Sequence, residues 1–221
     1  MVNVKGWPPP AKEKGFIFDP SLVLYLPLYE LDGAKFQSKD AYGHLCAVTD
    51  NIWTPGGGSF NGTSSKILIT YSTAFVFPNA ITVELWLKPI GATGDYGRYV
   101  GQNSGWFLGQ QIADETNARW EIGGGDILNS GVGRVTVGSF NHIVGTYDKV
   151  DKTIYVNGSQ VATKKLAVGI STNTNTIDIS YDGGTTTRWV QGIFGEVRLY
   201  NRALTPAEVQ HNYLATKGRY A

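Results

Sequence analysis

Gly192-Ile-Phe-Gly-Glu-Val-Arg-Leu-Tyr-Asn-Arg-Ala-Leu-Thr-Pro-Ala-Glu208 holds a strand, a stop and the start of a helix in seventeen residues. From Phe194 to Tyr200, Gly195, Val197 and Leu199 alternate with Phe194, Glu196, Arg198 and Tyr200, the two-residue period of a strand whose faces meet different surroundings. Thr205 then stands as an N-cap, Pro206 fits the first helical position, Glu208 can bond back to the cap, and Leu204 can staple to Val209. A short C-terminal helix ending near Gly218 is predicted, so the sheet stops at about residue 200.

Upstream, short β-branched and aromatic runs separated by Gly/Asn/Asp clusters predict many antiparallel strands and little helix. Strands are expected at 22–29, 66–70, 80–89, 98–102, 106–112, 118–123, 134–147, 152–157, 160–165, 176–181 and 191–200. The clearest hairpin turns at Asn157-Gly158, two residues tolerant of positive φ. The expected architecture is all-β, two antiparallel sheets packed face to face. The motifs Asn61-Gly-Thr63 and Asn157-Gly-Ser159 match a glycosylation acceptor pattern but read first as turns.

At 221 residues the chain suits one large sandwich at 19–221, able to bury roughly 70% of the unfolded surface without staples. Cys46 is the only cysteine, which excludes an intrachain disulfide framework. With 19 basic and 18 acidic residues, a net charge of +1 and no basic run, neither nucleic acid nor an anionic membrane is an expected partner. The amino terminus lacks the apolar stretch of a signal peptide, and no segment reads as membrane-spanning. Residues 1–18 stand apart as a Pro-rich arm, Trp7-Pro8-Pro9-Pro10 favouring an extended conformation. Such an arm either packs on its own sandwich or docks on a neighbour through Trp7, Phe16, Ile17 and Phe18.

The closing segment resembles that of the laminin-G-like, concanavalin A-like jelly-roll modules, as do Phe60-Asn-Gly-Thr-Ser-Ser-Lys-Ile-Leu-Ile69, Ile81-Thr-Val-Glu-Leu-Trp-Leu-Lys-Pro89, and Phe140-Asn-His-Ile-Val-Gly-Thr-Tyr-Asp148 running on to Ile154-Tyr-Val-Asn-Gly158. The resemblance covers residues 22 to 214 and implies a jelly roll that recognises glycan or protein through loops or the concave sheet. It also implies a calcium site, for which Asp32, Asp40 and Glu196 are the candidate ligands. Gly195 stands where the family carries an acid before Glu196, and Gly62-Thr-Ser-Ser65 replaces a second acidic stretch, so the ligand set is incomplete.

Hydrolases of this superfamily need two close carboxyl groups. Here the nearest pair, Asp178 and Asp182, shares a strand face at roughly 13 Å, too far unless the strand bends. Glu84 and Glu121 are expected on solvated outward faces. The three histidines are scattered, His142 with a structural hydrogen-bonding role, and Cys46 reads as a small buried hydrophobe. No catalytic residues are assigned. Among six tryptophans, Trp53, Trp106 and Trp189 adjoin turns and are the ones expected to be exposed. With Asp182 they form the candidate ligand set of a non-enzymatic binding module. A structural protein of a virus particle or other homo-oligomeric assembly is the alternative, since Asp19 to Asp32 and Phe36 to Leu45 resemble jelly-roll proteins of environmental and viral genomes.

Overall fold

The computed structural model describes residues 19–91, 96–123, 125–183 and 187–221. The arm residues Trp7, Phe16, Ile17 and Phe18 lie outside the described residues. The strands are β1 (Leu22–Pro27), β2 (Lys35–Gln37), β3 (Leu45–Thr49), β4 (Ile52–Thr54), β5 (Gly57–Asn61), β6 (Lys66–Ile69), β7 (Ile81–Gly91), β8 (Arg98–Gln102), β9 (Trp106–Gln111), β10 (Asp114–Ile122), β11 (Asp126–Asn129), β12 (Asn141–Tyr147), β13 (Asp151–Val156), β14 (Ser159–Lys165), β15 (Ile177–Ile179) and β16 (Gln191–Tyr200). Among the described residues one α-helix, α1 (Pro206–Thr216), follows the last strand.

The strands form two antiparallel sheets, and the chain is a jelly-roll sandwich. The first sheet runs β14-β13-β12-β7-β16-β5-β4, with β1 taking the part of the β16 edge that β5 leaves. Thus β5 pairs with Gln191–Phe194 and β1 with Glu196–Tyr200. The second runs β11-β10-β9-β8-β15-β6-β3-β2. Ile81, Val83, Leu85 and Leu87 of β7 point between the sheets, where they meet Ile67, Ile69, Val100, Leu108, Ile177 and Ile179 from the other layer. The Asn157-Gly158 turn forms as predicted, with φ of 51° and 77°.

Two departures from simple alternation matter. A register shift between Phe194 and Glu196 lets Phe194 join Val197 and Leu199 in the core, although a strict two-residue period groups it with Glu196. Gly195 at that bulge admits a close approach, since a Cβ there would lie 2.3 Å from the Tyr220 ring. The strand expected from residue 134 begins only at Asn141, because the Asn141 side chain folds the preceding segment into a loop. Its Oδ1 accepts from the Thr136 N–H at 2.9 Å, and its Nδ2 donates to the Thr136 and Ser139 carbonyls at 2.8 Å.

The helix starts as its sequence dictates. Thr205 and Glu208 form the reciprocal capping box, Pro206 occupies the first turn, and Leu204 and Val209 are buried in one apolar cluster with Leu22, Tyr25, Val144, Tyr155 and Tyr200. Among the described residues no helix is long and apolar enough to cross a membrane. What α1 covers corrects one expectation: Glu84 faces outward from the first sheet but is not solvated, being 1% exposed. Its Oε1 accepts from Arg198 Nη1 at 2.9 Å and His142 Nε2 at 2.8 Å, and its Oε2 from Asn212 Nδ2 of the helix at 2.9 Å. Burial alone would raise the Glu84 carboxyl, but Arg198, then His142 and Asn212, bring it down to about 2. On the same patch Trp86 donates from Nε1 to Thr216 at 2.8 Å and stacks on Tyr220 at 4.5 Å.

Candidate functional site

The outer face of the second sheet is built differently, with no α-helix over it among the described residues. Register places Ile127, Glu121, Phe107, Gly101, Asp178 and Leu68 in one row across β11, β10, β9, β8, β15 and β6. Arg119, Gly109 and Arg98 form the next row. The glycines leave room for the long side chains beside them. Arg98 lies 4.5 Å above the Phe107 ring, and Arg119 lies 4.1 Å above Tyr96 and 5.3 Å above Phe107. Arg119 also pairs with Glu121 at 2.6 Å.

After β15 the chain turns sharply at Ser180, whose φ is 58°. The Ser180 hydroxyl donates to the Val190 carbonyl at 3.0 Å and so fastens the two ends of the loop that returns to β16. This bend brings Asp182 back over the sheet, where its carboxylate accepts from Arg98 at 3.0 Å and Arg188 at 2.8 Å. Asp178 lies beneath, accepting from the Thr176 hydroxyl at 2.5 Å and the Gly183 N–H at 3.2 Å. Burial pushes the Asp178 carboxyl above the usual carboxylate range; Thr176, Gly183 and Arg98 partly offset this, and the Asp182 charge adds to it. The bend therefore does shorten the separation read from an extended strand. Both carboxyls are nevertheless at least 98% buried and engaged by donors of the chain itself.

Next to Asp182 and Arg188 in the chain stand the half-buried Tyr181 and Trp189, ring centroids 4.8 Å apart. Lys66 Nζ lies 4.3 Å from the Tyr181 centroid and 5.9 Å from that of Trp189. The result is an aromatic surface with an ammonium group against it, built from residues that adjoin the Asp182 and Arg188 of a guanidinium–carboxylate cluster in sequence. Such a surface can stack against the C–H face of a ring and exchange hydrogen bonds at its rim.

Of the four residues expected to bind ligand, the structure brings together Trp189 and Asp182. Trp53 sits elsewhere, on β4, half-buried and edge-on to Phe36 at 5.8 Å. Trp106 is not exposed: it is 2% accessible and packs on Phe77 and Trp120, because it lies on the inward-facing register of β9 with Leu108. Tyr181, Lys66, Arg98 and Arg188 had no sequence signal as a group, since only the long-range pairing of β15 with β6 and β8 assembles them.

The calcium candidates do not converge either. Asp32 is exposed, and Asp40 holds its own loop by accepting from the Tyr25, Tyr42 and Gly43 N–H groups. Glu196 accepts from Arg198 at 2.5 Å and from the Tyr220 hydroxyl at 3.2 Å. The ring of Tyr220 fills the space that an acidic side chain at 195 would need. Among the described residues no group of three or more His, Cys, Asp or Glu side chains could hold a metal ion. These residues do not fit a calcium site. Cys46 is fully buried, and burial pushes its thiol up to about 12.

A profile of the concanavalin A-like lectin/glucanases superfamily matches residues 61–210. The chain belongs to this family. No curated protein sequence matches it at a significant level. Among solved structures, the binding domain of Paraclostridial mosquitocidal protein 1 superposes with a TM-score of 0.69 at 18% identity, over 87% of this chain and 52% of that one. A botulinum neurotoxin type C structure does so at 0.68 and 13% identity, over 88% and 51%. Trypanosoma rangeli sialidase gives 0.71 at 16% identity, over 90% and 33%. The chain thus spans about half of the toxin chains and a third of the sialidase, and these likenesses establish the fold alone.

Proposed function

We propose that this chain is a non-enzymatic module that binds glycan beside β15, with Trp189 and Tyr181 as the stacking surface. The observation that carries the reading is the half-buried aromatic pair with Lys66 against it, next in sequence to Asp182 and Arg188 of the Arg98–Asp182–Arg188 cluster. Aromatic anchors ringed by polar groups dominate the energetics of recognition sites. The fold neighbours support the reading. The botulinum neurotoxin type C structure concerns a dependence on two ganglioside molecules, and another neighbour is a neurotoxin binding domain in complex with rat synaptotagmin II. Glycan is favoured over a protein partner here because the aromatic surface is small and bordered by charge.

A hydrolase needs one carboxyl to give a proton and another to attack or activate water. Asp178 and Asp182 instead serve Thr176, Gly183, Arg98 and Arg188. The test is a glycan array followed by titration of the best binder against Trp189→Ala and Trp53→Ala. Trp189→Ala should weaken binding at least about tenfold, a hot-spot loss of ~1.4 kcal/mol or more, and Trp53→Ala should leave it unchanged. Binding untouched by Trp189→Ala, no bound glycan at all, or turnover of a bound glycan would each overturn the proposal.

A further inference from the structure

On the outer face of the second sheet, the row that joins Asp178 to Leu68 continues to the far edge. Leu68 stands opposite Ala47 and Ala47 opposite Lys35, while Lys66, two residues before Leu68, stands opposite Thr49. Phe36 and Val48 turn inward to the core, so Lys35, Ala47, Thr49, Lys66 and Leu68 share the outer face. Lys35, Ala47 and Thr49 are exposed. The short side chains at 47 and 49 form a low floor beside Lys66, and Lys66 in turn lies against the Tyr181–Trp189 pair.

The two halves of this face differ in charge. Towards β10 the guanidinium groups have their carboxylates: Arg98 and Arg188 share Asp182, and Arg119 holds Glu121. Over β6, β3 and β2 the charges are the ammonium groups of Lys66 and Lys35, and among the described residues neither has a carboxylate partner, Asp32 and Asp50 in the adjoining turns included. Lys66 is nonetheless held in place, its Nζ 4.3 Å from the Tyr181 centroid. Contact with a ring face leaves its N–H donors able to meet an anionic acceptor. Strands ~4.8 Å apart that rise ~3.4 Å per residue put about 12 Å between the Cα atoms of Lys66 and Lys35, a span that a short oligosaccharide crosses. We infer that the bound glycan is acidic, carrying carboxylate or sulfate groups, and runs from the Tyr181–Trp189 pair across β6 and β3 towards β2, with Lys66 meeting one anionic group and Lys35 the next. This rests on the glycan reading above and adds to it the class of ligand and its direction. A neutral chain lying on this floor would strip water from both ammonium groups and return only weak hydrogen bonds, whereas an anionic group replaces that water with charge-assisted ones.

The test is an array on which each glycan is present in matched forms, carboxylated chains beside their methyl esters and sulfated chains beside desulfated ones, followed by titration of the best binder and its neutral counterpart against the full chain. The acidic form should bind at least about tenfold tighter, and added salt should shrink that advantage. Lys66→Gln should weaken the acidic form about tenfold and Lys66→Arg should restore it. Lys35→Gln, at an exposed position, should weaken it about two- to fivefold with Tm unchanged. The neutral form should respond to none of the three, which separates loss of charge from damage to the aromatic pair. Equal affinity for the two forms, or acidic binding that Lys66→Gln leaves alone, overturns the inference. Binding that Trp189→Ala still abolishes in either of those results leaves the glycan reading standing, and an array with nothing bound overturns both.

Discussion

The two outer faces of the sandwich carry the same kind of chemistry, an arginine between carboxylates, and differ in what lies over it. On the first sheet Arg198 joins Glu84 and Glu196, each 1% exposed, under α1 and Tyr220. On the second, Arg98 joins Asp182, over which no α-helix lies among the described residues and which is preceded in the chain by Tyr181 of the half-buried Trp189–Tyr181 pair. A network closed by a helix with its acid oxygens occupied acts as structure. The same groups without such a helix, with aromatic surface reachable from solvent, are the ones available for recognition.

The contrast can be broken most directly by removing each central cation. Arg198→Met leaves two buried carboxylates facing one another and should cost about 3–5 kcal/mol in urea unfolding. Arg98→Met should cost clearly less, since Arg188 still pairs with Asp182. Equal losses would mean that the helix adds nothing to the first network.

Acid should separate the faces next. The folded Glu84 carboxyl, at about 2, lies below its ordinary 4.5. Its contribution is therefore complete above about pH 4.5 and lost as pH falls toward 2, by up to about 3 kcal/mol. Asp178 has the opposite sign: burial raises its carboxyl, so the stability tied to its protonated form is present at low pH and lost as pH rises through the folded value. In urea titrations from pH 7 to 2.5, Glu84→Gln should flatten the acid limb, while Asp178→Asn should relieve a neutral-pH penalty. An acid limb that Glu84→Gln leaves unaltered would remove the assignment.

A smaller change sharpens the comparison at the bulge. Gly195→Asp restores the acid that the family pattern carries, but its Cβ would meet the Tyr220 ring, listing among overpacking changes that cost about 1–3 kcal/mol. Calcium added to this variant should not recover its Tm, because Asp32 is exposed and Asp40 is committed to its loop. Recovery by calcium would show that the first face retains a metal site.

Much of this architecture was legible in the residue pattern, and the gaps have physical causes. Alternation in β7, the Asn157-Gly158 turn and the Thr205–Glu208 box are local features, and they form where expected. Short strands such as β2, β4 and β11 carry too few residues for a period to show. Alternation also tells inward from outward but not what covers the outward side, which is why Glu84 read as solvated. Trp106 was misplaced because adjacency to a turn says nothing about which way a strand residue faces. In the site, Trp189 and Asp182 were visible as loop residues. Lys66 and Arg98 join them only through pairings between distant segments.

One pairing bears on how the molecule comes into being. Leu22, near the beginning of the first strand, is partnered by Tyr200, at the end of the last. A ribosome delivering this chain from its amino end holds β1 without its neighbour until Glu196–Tyr200 has been made. Such distant closure slows folding towards milliseconds to seconds and leaves an apolar strand bare meanwhile. Chains ending short of residue 196 should therefore fail to assemble the first layer, however well the second is formed.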